Sequence, residues 1–266
     1  MAFIEKYNQI RETNKSYLCV GLDSDIKKIP SFLKSEKDPI LTFNKRIIDE
    51  TCKYTAAYKP NFAFYIAQGV NGIETLKKTL DYIPDNILKI VDIKAGDIGN
   101  TMEQYTFSVF EYFNADAMTI NILMGSDVIN SCLQIDNAFA FALALTSNES
   151  ADQYFMHHDL YKKIATTIEN TGHEKLGAVV GATRTEDLET MRALMPEAVF
   201  LIPGIGAQGG DLEQVCKHAK YKADDARFLI SSSRGIIFAD NTQDFALKAG
   251  KEAEKLRDEI EKNVRV

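Results

Sequence analysis

The sequence predicts an α/β protein in which eight parallel strands, each followed by a helix, close into a (β/α)8 TIM barrel. Short apolar segments alternate with segments of helical spacing along the whole chain. The apolar segments are nearly continuous, which is typical of parallel strands that are buried on both faces. Eight strand–helix units also suit a length of 266 residues. A doubly wound open sheet is the alternative, but it would usually have fewer strands.

An amphipathic segment over residues 2–13 precedes the first strand and predicts an extra N-terminal helix. The predicted strands are apolar segments, and most of them end in a polar or charged residue. They cover residues 17–23, 56–64, 87–91, 117–123, 138–145, 177–183, 199–204 and 228–234. The helices that follow have apolar residues at helical spacing. They cover residues 40–53, 73–83, 100–113, 125–133, 151–171, 185–194, 211–220 and a final segment from 245 to 260.

Composition limits the organisation and the partners of the chain. No linker, charge block or low-complexity stretch divides it, so we expect residues 1–266 to form a single domain. A formal net charge of −7 argues against a nucleic-acid partner, which would need a basic surface. No segment approaches the roughly 20 apolar residues that span a membrane, and no signal peptide is apparent. Four scattered cysteines without a CxxC pair favour reduced thiols and a cytoplasmic location.

A dense charge cluster follows the third predicted strand, in the segment Asp92–Asn100. Asp92 and Lys94 are two residues apart, so on a regular strand they would point to the same face. Asp97 comes just after Gly96, which breaks the strand. Three ionisable groups so close to a buried strand are costly to desolvate unless they neutralise one another. Both a salt-bridged strand end and a catalytic charge cluster fit this pattern.

The other strand ends also carry polar groups, and in such a barrel the active site lies at the carboxyl ends of the strands. These ends hold Asp23, Lys59 with Asn61, the Asp92–Asp97 cluster, Asn121, Thr146 with Ser147, Thr183, the Pro203 loop, and Ser233 with Arg234. One such residue alone would be ordinary loop solvation. Their recurrence favours a polar cavity mouth.

Two segments after the last strands predict an anion site. Pro203–Gly210 is glycine-rich and opens a helix, where backbone N–H groups can approach an anion. Ser231–Gly235 brings Arg234, whose guanidinium suits phosphate. The loops after strands seven and eight form the usual phosphate site of these barrels. A plain flexible loop with a surface arginine is the alternative.

Metal and triad chemistry are not expected. The carboxylates lack a partner set of His and Cys, so we predict no metal site. The four histidines fall in predicted helices or loops away from the strand ends and receive no role. No Ser-His-Asp pattern occurs at the strand ends.

Taken together, the strand-end motifs resemble those of the orotidine 5′-phosphate decarboxylase family. The resemblance extends from about residue 17 to 238. It rests on Gly21-Leu-Asp23, Lys59-Pro-Asn61, Asp92-x-Lys94-x-x-Asp97-Ile-Gly-Asn-Thr101, Thr146-Ser-Asn148, Pro203-Gly-x-Gly-Ala-Gln-Gly-Gly210 and Ser233-Arg234. The chain departs from common family residues at Ala95 and Ile205, which leaves the charged set intact.

The resemblance implies decarboxylation of orotidine 5′-phosphate to UMP, in pyrimidine synthesis and without a cofactor. It implies an alternating array of Lys59, Asp92, Lys94 and Asp97, in which Lys94 protonates the C6 carbanion and Asp92 lies near the departing carboxylate. The implied substrate-binding residues are Asp23 and Lys59 for the ribose, Asn61, Thr146 and Ser147 for the pyrimidine, and Gln208 and Arg234 for the phosphate, with Pro203 and Ser233 beside them. It also implies a homodimer in which Asp97 and Thr101 reach the neighbouring subunit's site.

Three other functions remain open at this stage. A metal-dependent phosphosugar decarboxylase or aldolase of the same superfamily shares the Asp-x-Lys-x-x-Asp motif, although Lys59 stands where its metal would need a carboxylate. A Schiff-base aldolase could use Lys59 or Lys94, but flanking carboxylates oppose a neutral, nucleophilic lysine. A catalytically silent nucleotide-binding barrel would keep the phosphate loop without needing the charged array.

Overall fold

The computed structural model describes residues 1–182, 185–205, 211–222 and 225–265. Eight parallel strands form one closed sheet, in which each strand pairs with its neighbours in sequence and the last pairs with the first. They are β1 (Leu18–Gly21), β2 (Ala57–Lys59), β3 (Leu88–Ala95), β4 (Ala117–Ile120), β5 (Ala140–Leu145), β6 (Leu176–Val180), β7 (Phe200–Pro203) and β8 (Phe228–Ser232). The predicted (β/α)8 barrel is therefore confirmed.

Helices surround this sheet, and one of them precedes it. They are α1 (Phe3–Asn14), α2 (Pro39–Thr51), α3 (Phe62–Ile66), α4 (Gly69–Tyr82), α5 (Gly99–Phe107), α6 (Ser126–Cys132), α7 (Leu160–Thr171), α8 (Thr185–Leu194), α9 (Leu212–Ala219), α10 (Arg234–Ile237) and α11 (Phe245–Arg265). None of the helices among the described residues is long and apolar enough to cross a membrane.

The predicted second strand, 56–64, is wrong in its second half. β2 ends at Lys59, because Pro60 has no N–H to continue the ladder. Asn61 then begins a helix: its side-chain oxygen accepts a hydrogen bond from the Ala63 N–H at 3.1 Å and caps α3. The apolar residues after Asn61 therefore belong to a short helix that follows the strand end directly.

The predicted helix 151–171 is also wrong in its first half. Two 3-10 turns, Glu149–Gln153 and His157–Asp159, replace it, and α7 begins only at Leu160. His158 and Asp159 have positive φ angles of 47° and 55°, which a continuous right-handed helix does not allow. A smaller difference occurs after α5, where Ser108–Tyr112 form a π-helical turn.

The extra N-terminal helix α1 is confirmed, and it closes the amino-terminal end of the barrel. The Phe3 ring stacks on Phe139 with centroids 3.8 Å apart. Lys6 Nζ donates to both carboxylate oxygens of Asp116, at 2.7 and 2.9 Å. Helix α1 therefore does not cover the opposite end of the barrel, where the strands have their carboxyl termini.

Arg192 connects the last strand–helix units at the amino-terminal end of the barrel. Its buried guanidinium stacks on the Phe200 ring at 3.7 Å. It also donates to backbone carbonyls at the end of α8, the end of α9 and the approaches to β7 and β8, namely those of Met195, Pro196, Ala198, Ala219 and Arg227. Burial lowers the pKa of Arg192 to about 9. This cation thus orders the strands whose other ends form part of the cavity.

Candidate active site

Two adjoining cavities open at the carboxyl ends of the strands and share Lys59, Asp92 and Pro203. The first, of about 250 Å³, is lined by Lys59, Asp92, Lys94, Thr119, Leu143, Thr146, Ser147, Asn148, Val179, Leu201 and Pro203. The second, of about 240 Å³, is lined by Asp23, Lys59, Asp92, Pro203, Gly204, Ile205, Ser231, Ser232, Ser233, Arg234 and Gly235. Most of the residues singled out from the sequence therefore meet in one continuous space.

Asp92 lies at the junction of the two cavities and is only 7% exposed. Its Oδ2 atom accepts from Lys59 Nζ at 2.9 Å and from Asn61 Nδ2 at 3.5 Å. Its Oδ1 atom accepts from Lys94 Nζ at 2.6 Å and from Thr119 Oγ1 at 2.9 Å. Four donors from three neighbouring strand ends thus converge on one buried carboxylate.

Opposite charges determine the ionisation of this cluster. Burial alone would raise the pKa of Asp92, but the ammonium groups of Lys59 and Lys94 outweigh burial and hold it well below its usual range. Burial would likewise lower the pKa of Lys59, whereas the carboxylates of Asp92 and Asp23 raise it above its usual value. Asp92 is therefore a carboxylate and Lys59 an ammonium over the neutral pH range, and Lys94 contacts the same carboxylate.

Lys94 reaches Asp92 through an irregular backbone and not through regular strand alternation. The pairing of β3 with β4 shifts register between Val91 and Ala95. Lys94 lies in this bulge with a φ angle of 50°, a left-handed conformation that costs a non-glycine residue about 1–2 kcal/mol. Its side chain is 47% exposed, towards the first cavity. Strain of this kind is typical of residues that a site holds in place for function.

Thr119 is a cavity residue that the sequence analysis did not identify. It lies in β4, is 1% exposed and contacts both the carboxylate of Asp92 and the backbone of Lys94. Threonine is common in strands for packing reasons, so its presence within an apolar segment carries no functional signal. Only the spatial neighbourhood reveals the contact.

Asp23 lines the second cavity, and one of its carboxylate oxygens is buried without a hydrogen-bond donor among the described residues. Among the described residues no donor reaches its buried Oδ1 atom. The residue before Asp23 is fixed by a hydrogen bond, because the Tyr65 hydroxyl donates to the Leu22 carbonyl at 3.0 Å. Asn44 in turn donates to the Tyr65 hydroxyl at 3.0 Å. A buried carboxylate oxygen that no protein donor reaches is able to accept a hydrogen bond from a ligand hydroxyl or amide, or from water.

Two glycines allow neighbouring strand ends to close around the cavities. A Cβ atom on Gly181, after β6, would lie 2.7 Å from the Cα of Ser147. A Cβ atom on Gly21, at the end of β1, would lie 2.7 Å from the Cβ of Ser233. Any side chain at either position would push a cavity-lining residue out of place, so both positions require glycine.

Asp97 and Thr101 stand apart from this arrangement. Among the residues that the structure describes, neither lines either cavity. Asp97 Oδ1 accepts from the Ile98 N–H at 2.8 Å, and Thr101 is exposed on α5. Exposed apolar side chains occur on α5, on the residue before it, and on the segments after β2 and β4: Phe64, Ile66, Val70, Ile98, Tyr105, Phe107, Leu123 and Met124.

Some of the residues singled out from the sequence lie outside the described ranges. Gln208 and all other residues of the 206–210 segment lie outside the described ranges, as does Thr183. Within those ranges, no three His, Cys, Asp or Glu side chains are close enough to hold a metal ion.

Known proteins resemble this chain over nearly its whole length. The model of the orotidine 5′-phosphate decarboxylase / HUMPS family matches residues 16–249. The orotidine 5′-phosphate decarboxylase of Christiangramia forsetii is 46% identical over 255 residues, which cover 92% of this chain and 93% of the relative. That of Porphyromonas gingivalis is 44% identical over 259 residues, with 93% of this chain and 92% of the relative covered.

Solved structures agree with these sequence relatives. The OMP decarboxylase of Leishmania donovani superposes with a TM-score of 0.85 at 29% identity and covers both chains completely. The Plasmodium berghei orotidine 5′-monophosphate decarboxylase gives a TM-score of 0.79 at 26% identity, covering 99% of this chain and 100% of the other. The predicted family is thereby confirmed, and this chain belongs to the orotidine 5′-phosphate decarboxylase / HUMPS family.

Proposed function

We propose that this protein decarboxylates orotidine 5′-phosphate to UMP without a metal or other cofactor. The observation that supports this most directly is the array of Lys59, Asp92 and Lys94 at the junction of the two cavities. In the proposed reaction the bond between C6 and the carboxylate breaks and CO2 leaves. The electron pair stays on C6, and a proton from the Lys94 ammonium forms the new C6–H bond. Water then returns a proton to Lys94.

Lys94 is the proposed acid because its ammonium group faces the first cavity while Asp92 anchors it at 2.6 Å. A fixed cation beside C6 stabilises the carbanion as negative charge develops there, and it needs no reorganisation at that moment. The same group then completes the reaction by proton transfer. One residue therefore contributes both to lowering the barrier and to forming the product.

In the proposed complex, Asp92 lies beside the substrate carboxylate that departs as CO2. The first cavity also presents an apolar wall to this carboxylate. Leu143, Val179 and Leu201 line the first cavity together with the charged array. A substrate carboxylate gains little from such a wall, whereas neutral CO2 is well suited to it. Charge preorganised towards the carbanion, next to an apolar exit for CO2, is the arrangement that we propose to favour the transition state over the bound substrate.

The remaining substrate contacts follow from the positions of the lining residues. Asp23 supplies a buried oxygen that no donor reaches within the described part of the chain, which suits a ribose hydroxyl, and Lys59 lies beside it. We assign Thr146 and Ser147, which line the first cavity, to the pyrimidine edge. We add Asn61 because it contacts Asp92, although it lines neither cavity. We assign Pro203, Ser233 and Arg234 to the phosphate end of the second cavity, and add Gln208 from the sequence motif alone.

We further propose that the chain is a single barrel domain that works as a homodimer in the cytoplasm. Asp97 and Thr101 line neither cavity of their own chain, and exposed apolar side chains lie near them at that end of the barrel. A second copy would bury these apolar groups and bring Asp97 and Thr101 to its neighbour's site. The four cysteines lie within the described residues and form no disulfide, which fits a reducing compartment.

The test of the reaction is the fall in orotidylate absorbance when protein stripped of metal is added in the presence of EDTA. We expect complete conversion to UMP and release of one CO2 per substrate. A requirement for added divalent metal would favour the phosphosugar decarboxylase or aldolase alternative. Tight binding of orotidylate without turnover would favour the silent nucleotide-binding barrel.

Replacing Arg234 with alanine should lower kcat/KM for orotidine 5′-phosphate by about tenfold to a hundredfold. A charge-assisted hydrogen bond to phosphate contributes about 1.5–3 kcal/mol, and the phosphate holds the base in place from a distance. The same variant should leave the slow reaction of orotidine, which has no phosphate, unchanged.

Lys251→Ala, on the exposed surface of α11, removes a positive charge elsewhere and is the matched control for the Arg234 variant. An equal loss with both substrates, or an Arg234→Ala variant with wild-type kcat/KM, would contradict the phosphate assignment.

A further inference from the structure

The backbone irregularity of β3 lies opposite one residue of β4. Val91 pairs with Met118 and Ala95 pairs with Ile120, so three residues of β3, Asp92 to Lys94, oppose Thr119 alone. A bulge of this kind leaves main-chain groups of the longer strand without their ladder partners. The Lys94 N–H is one such group, and it donates instead to the Thr119 hydroxyl at 2.9 Å.

The direction of the hydrogen bonds at Thr119 is unambiguous. A backbone N–H can only donate, and an ionised carboxylate can only accept. The Thr119 oxygen therefore accepts from the Lys94 backbone and directs its own proton to Asp92 Oδ1, 2.9 Å away. Asp92 Oδ1 also accepts from Lys94 Nζ at 2.6 Å. Thr119 thus joins the backbone of Lys94 to the carboxylate that anchors the side chain of the same lysine.

This closed set of contacts explains how Lys94 keeps a strained conformation. Its positive φ angle persists only if the surroundings hold it, and the Thr119 hydroxyl is the group that holds its N–H. Thr119 is 1% exposed, so water does not readily replace that hydroxyl. Without the hydroxyl, the bulge can relax and Asp92 loses one of its four donors. Both changes would move the Lys94 ammonium relative to C6.

We propose that Thr119 is a positioning residue for the decarboxylation, which holds the bulged Lys94 backbone and the Asp92 carboxylate in register so that the Lys94 ammonium meets C6. This inference rests on the proposed function. The proposal involves no direct contact between Thr119 and UMP. UMP also lacks the carboxylate that orotidine 5′-phosphate loses in the reaction. The loss of its hydroxyl should therefore affect the chemical step more than nucleotide binding.

The experiment compares Thr119→Val, which keeps the branched shape but removes the hydroxyl, with Thr119→Ser, which keeps the hydroxyl. For Thr119→Val we expect kcat to fall by about tenfold to a hundredfold, as for the loss of a hydrogen bond to a charged group. We expect the dissociation constant of UMP to stay within about threefold of wild type, because Thr119 is not proposed to contribute to interactions that bind the nucleotide equally before and during the reaction. Thr119→Ser should retain most of the wild-type kcat.

A second readout isolates the lysine from the departure of CO2. If Lys94 protonates C6, then by reversal of that step it also exchanges the C6 hydrogen of bound UMP for deuterium in D2O. NMR would follow this exchange, and Thr119→Val should slow it by a factor similar to that for kcat. Thr55→Val is the matched control, since Thr55 is fully buried and bonded through its hydroxyl, but at the opposite end of the barrel. It should leave exchange and turnover unchanged.

Several outcomes would overturn the proposal. These are a wild-type kcat in folded Thr119→Val, a Thr119→Ser variant as slow as Thr119→Val, or a loss of UMP affinity equal to the loss of kcat. If Thr119→Val and Thr119→Ala both fail to fold, the residue serves stability and the proposal is wrong. Failure of the wild type to decarboxylate would overturn the proposed function and this inference with it, whereas an active wild type with an unaffected Thr119→Val overturns this inference alone.

Discussion

Replacing Lys94 with alanine is expected to abolish conversion of orotidine 5′-phosphate to UMP while leaving the binding of UMP largely intact. The lysine is proposed both to stabilise the C6 carbanion and to protonate it. General acid catalysis typically contributes about 10²–10⁴-fold and preorganised charge about 10²–10³-fold, so the combined loss in kcat should be at least about 10⁴-fold. The absorbance assay measures turnover, and calorimetry with UMP measures binding.

Binding should survive because the groups assigned to the ribose and phosphate lie in the second cavity, away from Lys94. Removing one of the two cations beside Asp92 nevertheless leaves that buried carboxylate less well compensated, so the melting temperature of the variant must be recorded as well. A Lys94→Ala enzyme that is folded and retains kcat within tenfold of wild type would reject Lys94 as the acid. Trapping of a substrate adduct by borohydride in the wild type would instead support a Schiff-base aldolase.

Mixing Lys94→Ala with Asp97→Ala subunits should restore activity that neither variant has alone. Asp97→Ala by itself should lower kcat by about a hundredfold or more, the usual cost of losing one group that stabilises charge in a site. In a two-fold dimer with shared sites, a mixed dimer contains one site with both defects and one site with neither. Random pairing of equal amounts should therefore return up to about a quarter of the wild-type activity.

The control for subunit mixing uses Asp92→Asn in place of Asp97→Ala. Asp92 and Lys94 touch within one chain, so no mixed dimer of these two variants contains an intact site, and no activity should return. Light scattering before and after mixing establishes that dimers form and exchange. Recovery in the control, absence of recovery in the Asp97 experiment, or a fully active monomer would each contradict a shared site.

The sequence predicted the barrel because burial on both faces of a parallel strand leaves a strong pattern. All eight strands were placed, and their ends pointed to the residues that line the two cavities. Local misplacements arose where short-range chemistry outweighed hydrophobic pattern. At residues 62–64 the Asn61 cap and the missing N–H of Pro60 favoured a helix. At residues 151–159 the left-handed His158 and Asp159 interrupted an otherwise helical spacing.

The charged cluster illustrates how a correct expectation can rest on an incomplete reason. Asp92 and Lys94 do lie together, but the backbone between them is bulged and Lys94 has a positive φ angle. Regular strand alternation therefore does not explain their contact. The pattern of residues identified the partners, whereas the pairing of β3 with β4 determined their geometry.

By itself, then, the sequence determined the fold class, the identity of the charged residues and the end of the barrel at which they collect. These depend on periodicity and on the order of residues along the chain, which are one-dimensional properties. Only the tertiary structure decided that four donors converge on Asp92, that no donor among the described residues reaches a buried oxygen of Asp23, and that Thr119 links Asp92 to Lys94. Thr119 and Lys94 are 25 residues apart in sequence, and their contact exists only because two neighbouring strands pair out of step at the bulge.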